Sequence, residues 1–134
     1  MTGTVVEQEF GAARLHVEVR RGPLAGPVLV RSIAMFAART SLPASRLDDI
    51  CDVLEAIAAS LPGERIAVEA RADRGGTGLQ LHVSGLAGGT ARSVLSDVRH
   101  GGLARLLAVT SDGVAVRSST ARGESLVVTF APPR

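Results

Sequence analysis

The chain has 134 residues, of which 15 are basic and 13 acidic, and its 46% apolar content is enough to fill the core of one folded domain. It contains no Lys, Asn, Trp or Tyr, which excludes a P-loop lysine, a Schiff-base lysine and an asparagine ligand for magnesium. Nucleic-acid binding is not indicated, because the arginines form no basic run and three Phe offer little surface for stacking on bases. One cysteine permits no intrachain disulfide, and no apolar run reaches the length of a membrane span.

The first third of the chain predicts one strand followed by one helix. Residues 14–20 alternate between apolar and polar side chains, which is typical of a half-buried strand. Residues 1–13 before it are predicted to be an N-terminal extension. Pro27 suits the first turn of the next helix, where its missing N–H costs no hydrogen bond, and the apolar spacing extends this helix to about Thr40.

The clearest helix is predicted from about Ser45 to Leu61. Ser45 is a candidate N-cap, and Pro62-Gly63 ends the helix. Cys51 is predicted to fill the core, where burial raises the pKa of a thiol. The apolar stripe has the spacing of one helix face and consists of Leu47, Ile50, Cys51, Leu54, Ile57, Ala58 and Leu61.

The second half of the chain predicts two hairpins. The first has strands at 65–71 and 79–84, and the second has strands at 114–117 and 126–130. Between the hairpins lies a glycine-rich segment followed by two short helices, whose apolar residues are Val94, Leu95, Val98, Leu103, Leu106 and Leu107. The order predicts an α+β fold: a two-layer sandwich with a mainly antiparallel sheet, helices on one face, and a single domain over residues 14–134.

This order is similar to that of the histidine-kinase-like ATPase domain, the Bergerat (GHKL) fold, and the size resembles that of the anti-sigma factor serine kinases. The resemblance covers about residues 14–131 and implies a Bergerat-like sandwich. In that family the partners are sigma factors and STAS-type anti-sigma antagonists, and homodimers are common. The segments that carry the resemblance are Arg46-Leu-Asp-Asp-Ile, Leu79-Gln-Leu-His-Val-Ser-Gly-Leu-Ala-Gly-Gly, Gly101-Gly-Leu-Ala-Arg-Leu-Leu-Ala-Val-Thr-Ser-Asp-Gly-Val-Ala-Val and Gly123-Glu-Ser-Leu-Val-Val-Thr-Phe.

The catalytic pair of the family lies on its long helix. A Glu there activates the nucleophile, and an Asn four residues later holds magnesium. By resemblance these places fall on Ala56 and Ser60, which lack both groups. A shift of one position makes Glu55 a weak candidate base but pairs it with Ala59, and the chain has no Asn in any register.

The adenine-binding motif of the family is an Asp followed by glycines at i+2 and i+4. By resemblance these places hold Gly85, Ala87 and Gly89, so the carboxylate that accepts from the adenine amino group is missing. A site that pairs a buried polar group discriminates by about 10⁴ or more when the partner is absent. Loss of this carboxylate is therefore predicted to remove most of the preference for adenine.

Two further segments resemble the phosphate-binding parts of the family. Gly101-Gly102 is similar to the end of the nucleotide lid, where backbone N–H groups at a helix start bind phosphate. The family's Gly-Thr-Thr corresponds here to Gly123-Glu124-Ser125, in which Ser125 keeps a hydroxyl group. Glu124 brings a negative charge that repels a triphosphate.

Two polar clusters carry other interpretations. His16 and His82, with Glu18 or Glu69 as a third ligand, could form a metal site, but the favoured interpretation is that these residues line the exposed face of a one-sided sheet. No metal site is predicted. On the long helix four carboxylates are either solvated or form a docking surface for a basic partner, and they are Asp48, Asp49, Asp52 and Glu55.

The leading functional prediction is a regulatory, protein-binding relative of the anti-sigma factor kinases that is not an efficient ATPase or kinase and needs no cofactor. Glu7 and Glu9, where a signal peptide is apolar, favour the cytoplasm, and no direct contact with nucleic acid or a membrane is predicted. One alternative is an active serine kinase that binds ATP and magnesium through Glu55, Ser60 and Gly101-Gly102. Another is a small-molecule sensor whose vacated nucleotide pocket is lined by Ala56, Ala59, Val83 and Leu86.

Overall fold

Six strands form one antiparallel sheet in the computed structural model of the chain, and helices cover one of its faces. The structure describes residues 3–9, 12–72, 77–96, 102–119 and 123–131. In chain order its elements are β1 (Gly3–Glu9), β2 (Ala12–Arg20), α1 (Ala25–Ala37), α2 (Ala44–Ser60), β3 (Arg65–Ala72), β4 (Leu79–Leu86), α3 (Thr90–Ser96), α4 (Leu103–Thr110), β5 (Gly113–Ser119) and β6 (Gly123–Phe130). The strand order across the sheet is β1-β2-β3-β4-β6-β5.

This architecture confirms the predicted α+β sandwich of two layers. Alternating burial along the strands directs apolar side chains of one parity toward the helices, as Ile66, Val68 and Ala70 show in β3. The opposite parity forms the other face of the sheet, which no described helix covers. The largest fully buried side chains lie between the two layers and include Phe130, Leu29, Ile33, Ile50, Leu54 and Ile57.

The edge strand β1 was not expected, because the patterns predict no strand before residue 14. It lies inside the segment predicted as an N-terminal extension and pairs with β2 from Gly3 opposite Glu18 to Glu9 opposite Ala12. Its two adjacent valines, Val5 and Val6, break the alternation by which a strand is identified from sequence. β1 is therefore recognised as a strand by its pairing with β2 and not by its own sequence pattern.

The two long helices begin close to the predicted positions, with one correction. Pro27 lies in the first turn of α1 as predicted. Ser45 is not the cap of α2: the helix begins one residue earlier, behind Pro43, and no side chain caps it. The extended ψ of Pro43 and its fixed φ suit the position before a helix. Cys51 is only half-buried, whereas Val53, which was not part of the predicted apolar stripe, is fully buried.

Arg46 joins the first turn of α2 to the far end of the sheet. Its Nη1 donates to the carbonyl oxygen of Thr110 at 2.7 Å and lies 3.3 Å from Oδ2 of Asp49. Its Nη2 pairs with Asp112, whose Oδ2 also accepts the backbone N–H of Ala131 at 2.8 Å. This cluster connects α2, the end of α4 and the ends of β5 and β6.

A bulge at the end of β4 shapes the loop that follows it. The pairing register of β4 with β6 shifts between Val83 and Leu86, and Gly85 at this point has a φ of +72°. Gly123 begins β6 with a φ of +75°, and a Cβ there would overlap the carbonyl oxygen of Leu86. Glycine is required at Gly123 both for its left-handed backbone and for this close approach.

Candidate functional site

The long-helix positions that resemble the family's catalytic pair do not place a base and a ligand together. Ala56 is half-buried and packs against the core, and Ser60 is half-buried in the last turn of α2. Glu55 is exposed. Successive side chains of an α-helix point about 100° apart, so the carboxylate faces solvent while the inward position carries only a methyl group.

An open groove of about 370 Å³ lies between the end of α2 and the start of α3. It is where the glycine-rich loop after β4 turns into α3, and Gly89 there has a φ of +85°. Of the predicted site residues that the structure describes, Gly89 is the one that lines the groove; Gly85 is exposed at the bulge instead. The lining residues are Pro62, Gly88, Gly89, Thr90 and Ser93.

The carboxylate of Glu124 holds the first turn of α3 beside this groove. Glu124 is 7% exposed, and its Oε1 accepts the backbone N–H of Ala91 at 3.0 Å. The start of a helix carries unpaired N–H groups that attract negative charge. In this chain the carboxylate of Glu124 supplies that charge and acts as a cap for α3. Its negative charge therefore lies next to the groove.

The remaining predicted phosphate-binding residues lie elsewhere. Ser125 follows Glu124 in β6, and alternation along the strand places it on the opposite face of the sheet from α3. Gly102 is the left-handed N-cap of α4, with a φ of +78°, and it is exposed. Gly101 lies outside the described residues.

The four residues predicted to line a vacated nucleotide pocket are not brought together around the groove. Val83 and Leu86 are buried in the core between the sheet and the helices. Ala56 is half-buried and Ala59 is exposed on α2. None of the four is among the residues that line the groove.

A row of polar residues crosses the uncovered face of the sheet. His16 of β2 is opposite Glu69 of β3, which is in turn opposite His82 of β4. The two histidines therefore share one face, as predicted, with the carboxylate between them. Glu69 accepts from Nε of Arg71 at 2.7 Å and lies 3.8 Å from Nη1 of Arg14.

His82 is the most enclosed polar side chain of this row. It is 9% exposed, and its Nε2 lies 3.1 Å from Oε1 of Gln80. Burial lowers the pKa of His82 from its ordinary value, and the positive charge of Arg71 lowers it further, whereas Glu69 opposes the shift. His82 is therefore neutral at neutral pH.

The uncovered sheet face carries charged residues of both signs. Glu18 pairs with Arg65 at 3.7 Å, and Glu69 pairs with two other arginines. These two glutamates thus have partners within the chain. In β2 to β6 the charged residues of this face are Arg14, Arg20, Arg65, Arg71, Arg117, Glu18 and Glu69, and the register of β1 adds Glu7 and Glu9.

The acidic cluster of α2 divides into two parts. Asp49 is half-buried and pairs with Arg46, so it has a structural role. Asp48, Asp52 and Glu55 are exposed. Burial raises the pKa of Cys51, which lies between them, and the negative charges of these three carboxylates raise it further.

No protein-family model matches this chain, and no curated protein matches it significantly. Within the described ranges, no three His, Cys, Asp or Glu side chains are grouped so that they could hold a metal ion. Searched over the same residues, the helices include none that is long and apolar enough to span a bilayer.

Proposed function

We propose that this chain is a regulatory, protein-binding module of the anti-sigma factor kinase type that does not hydrolyse ATP or transfer phosphate efficiently. Its expected partners are a sigma factor or a STAS-type antagonist in the cytoplasm. The observation that carries the proposal is the buried Glu124 carboxylate, which binds the N–H of Ala91 beside the groove. The order of elements and the sequence segments given above supply the link to the family.

Glu124 argues against phosphate binding because a fixed negative charge in a buried position repels another. Ala56 adds to this argument, since a methyl group can neither accept a proton nor hold a cation. Glu55 has the chemistry of a base but is exposed on the solvent side of α2. These substitutions are compatible with a scaffold whose role is to bind another protein.

The uncovered sheet face is the surface that we propose for this partner. Two arginines of this face, Arg20 at the end of β2 and Arg117 at the β5 edge, are exposed. Arginine forms two parallel hydrogen bonds with a carboxylate. An acidic protein surface is therefore the partner chemistry that fits, and charge would act on the association rate and on specificity.

Calorimetry with ATP and magnesium tests the first half of the proposal. We expect no binding heat, and no transfer of radiolabelled phosphate to a serine of a STAS protein. Micromolar binding would overturn this half of the proposal, and phosphate transfer would establish the active kinase. In that case Glu55→Gln tests the base, because a variant with full activity removes Glu55 from that role.

Binding to sigma factors and STAS proteins, measured with candidates from the genome that encodes this chain, tests the second half. We expect one of them to bind, and Arg117→Glu to weaken binding by about tenfold or more, since it places like charges together. Arg92→Glu, a reversal at an exposed position on α3, is the matched control. If no such protein binds but a metabolite raises the melting temperature, the sensor alternative replaces the proposal.

A further inference from the structure

The free edge of β5 presents backbone groups that nothing above explains. This strand is the last in the sheet order and pairs with β6 on one side only. Its pairing runs without a register shift from Gly113 opposite Thr129 to Ser119 opposite Gly123, so all 7 residues keep regular strand geometry. Every second residue of such a strand directs its N–H and C=O away from the sheet. Among the described strands none accepts these groups.

Strand β5 also lacks the features that usually protect an exposed edge. Edge strands are commonly blocked by proline, by charged side chains or by a bulge. Residues 113–119 contain no proline and one charged residue, Arg117, and the pairing with β6 has no bulge. The opposite edge strand differs, because the sequence of β1 carries Glu7 and Glu9. The edge of β5 is therefore open to a further strand.

The side of β5 that faces the helices is apolar and incompletely covered. Val114 and Val116 are opposite Val128 and Leu126 of β6, which are fully buried. The two β5 valines pack against the core but are only half-buried. A strand added beside β5 would place every second side chain next to these valines. Apolar side chains at those positions would complete their burial.

The side of β5 that belongs to the uncovered sheet face is basic. Ala115 and Arg117 lie on this side, and both are exposed. The residue opposite Arg117 on β6 is Ser125, which is uncharged. A carboxylate on an added strand would therefore pair with Arg117. At the β1 edge the same carboxylate would meet Glu7 and Glu9, whose register places them on this face, so charge selects the β5 edge.

We propose that the free edge of β5 binds an extended segment of a partner protein, which adds one strand to the sheet and alternates apolar with acidic side chains. The apolar side chains lie beside Val114 and Val116, and the acidic ones lie beside Ala115 and Arg117. In this mode of recognition backbone hydrogen bonds supply affinity, and alternate side chains supply specificity. The proposal rests on the proposed role in protein binding and deepens it, because it states how the partner is held.

A blocked synthetic peptide of 7 residues, the length of β5, tests the edge. It alternates valine with glutamate and carries a terminal fluorophore, whose anisotropy is followed as the full chain is added. We expect saturable binding, and amide hydrogen exchange is expected to show new protection at alternate residues of β5. A peptide with lysine in place of glutamate is expected to bind about tenfold or more weakly, because it brings like charges to Arg117.

Backbone N-methylation of the glutamate peptide distinguishes strand addition from contact through side chains alone. The methyl groups are placed on alternate peptide residues, in two forms that differ in parity. In an added strand only one parity donates its N–H groups to β5. One form is therefore expected to lose binding and the other to keep it. Equal affinity of the two forms would overturn the proposal.

Two variants of the chain test the position and the charge. Ala115→Glu places a carboxylate at the exposed edge and is expected to weaken binding of the glutamate peptide by about tenfold. Ala108→Glu, at an exposed position on α4, is the matched control and is expected to bind like wild type. Arg117→Glu is expected to reverse the preference, so that the lysine peptide binds more tightly than the glutamate peptide. Circular dichroism establishes that each variant is folded.

A wild type that does not bind the glutamate peptide overturns the proposal, as does normal binding of it by Ala115→Glu or Arg117→Glu. Protection of the β5 amides that rises with chain concentration, without peptide, also overturns it, because a second copy then occupies the edge. No sigma factor or STAS protein enters these measurements. If such a protein binds while the peptide does not, the docking edge is excluded and the proposed function stands; the reverse result excludes the family partners and leaves the docking edge.

Discussion

The two exposed faces of this molecule use the same kinds of charged side chain in opposite ways. On the uncovered sheet face, acids and bases are interleaved on neighbouring strands, and Glu18 and Glu69 are paired within the chain. On the solvent side of the helices, the exposed charge of α1 is basic, Arg31, and the exposed charges of α2 are all acidic. Interleaved charges attract their neighbours and stabilise the chain that carries them, whereas the clustered carboxylates of α2 repel one another.

Arg46 is the basic residue of α2, and it pairs with Asp112, so the exposed charges of this helix are all acidic. Removal of Arg46 is predicted to have the largest effect on stability. Arg46→Ala breaks the bond to the Thr110 carbonyl and leaves Asp112 without its cation. A charged hydrogen-bond network that loses its donor costs about 2–4 kcal/mol. Urea unfolding measures this as a lower free energy of unfolding with an unchanged m-value.

The matched control for this change is Arg105→Ala, which removes an exposed arginine from α4. It is expected to change the free energy of unfolding by no more than about 0.5 kcal/mol. Equal losses in the two variants would mean that the Arg46 cluster contributes nothing beyond an ordinary surface arginine.

Glu69→Gln tests the interleaved charges of the sheet face. The change keeps the shape of the side chain but removes the charge that Arg71 and Arg14 share. We expect a loss of about 1–2 kcal/mol, because a hydrogen bond to a charged group is replaced by one to a neutral amide. Thermal and urea unfolding measure the change, and an unaltered stability would show that these pairs are as weak as isolated surface ion pairs.

The sequence predicted the parts of the fold that follow from local periodicity. Helix α2 and the β3–β4 hairpin repeat their apolar residues at regular intervals, and their positions were correct to within a few residues. The edge strand β1 was missed because its adjacent valines do not alternate. Ser45 was a wrong cap because Pro43, two residues earlier, already defines where the helix begins.

The features around the groove depend on contacts that no local pattern contains. Glu124 bonds to Ala91, which is distant in the chain and on a different element. The sequence indicated a negative charge near this place but not that the charge caps α3. In the same way, His16 and His82 share one face because β3 lies between their strands and Glu69 is directly opposite both histidines.

The enclosed histidine of the sheet face makes stability depend on pH. Because the pKa of His82 is lowered in the folded chain, the unfolded chain binds a proton more readily. Stability is therefore unaffected by this group above the unfolded pKa of about 6.5 and decreases as the pH falls below it. The decrease stops once the pH is below the lowered pKa of the folded state.

Urea unfolding at a series of pH values between about 8 and 4.5 measures this dependence around the ordinary histidine pKa. His82→Gln is expected to flatten the part of the profile just below that pKa, whereas His16→Gln leaves His82 in place and serves as the control. A slope that persists in His82→Gln and disappears in His16→Gln would assign the effect to the other histidine of the row.

The smallest predicted effect is that of Asp52→Asn on α2, and its sign is opposite to that of Glu69→Gln on the sheet face. Asp52 lies four residues from Asp48 and three from Glu55, so it repels two neighbours on the same side of α2. Asp52→Asn is therefore expected to stabilise the monomer by about 0.2–0.5 kcal/mol, where Glu69→Gln destabilises it. Urea unfolding measures the change. A loss of stability would mean that Asp52 is paired within its own chain, as Glu69 is on the sheet face.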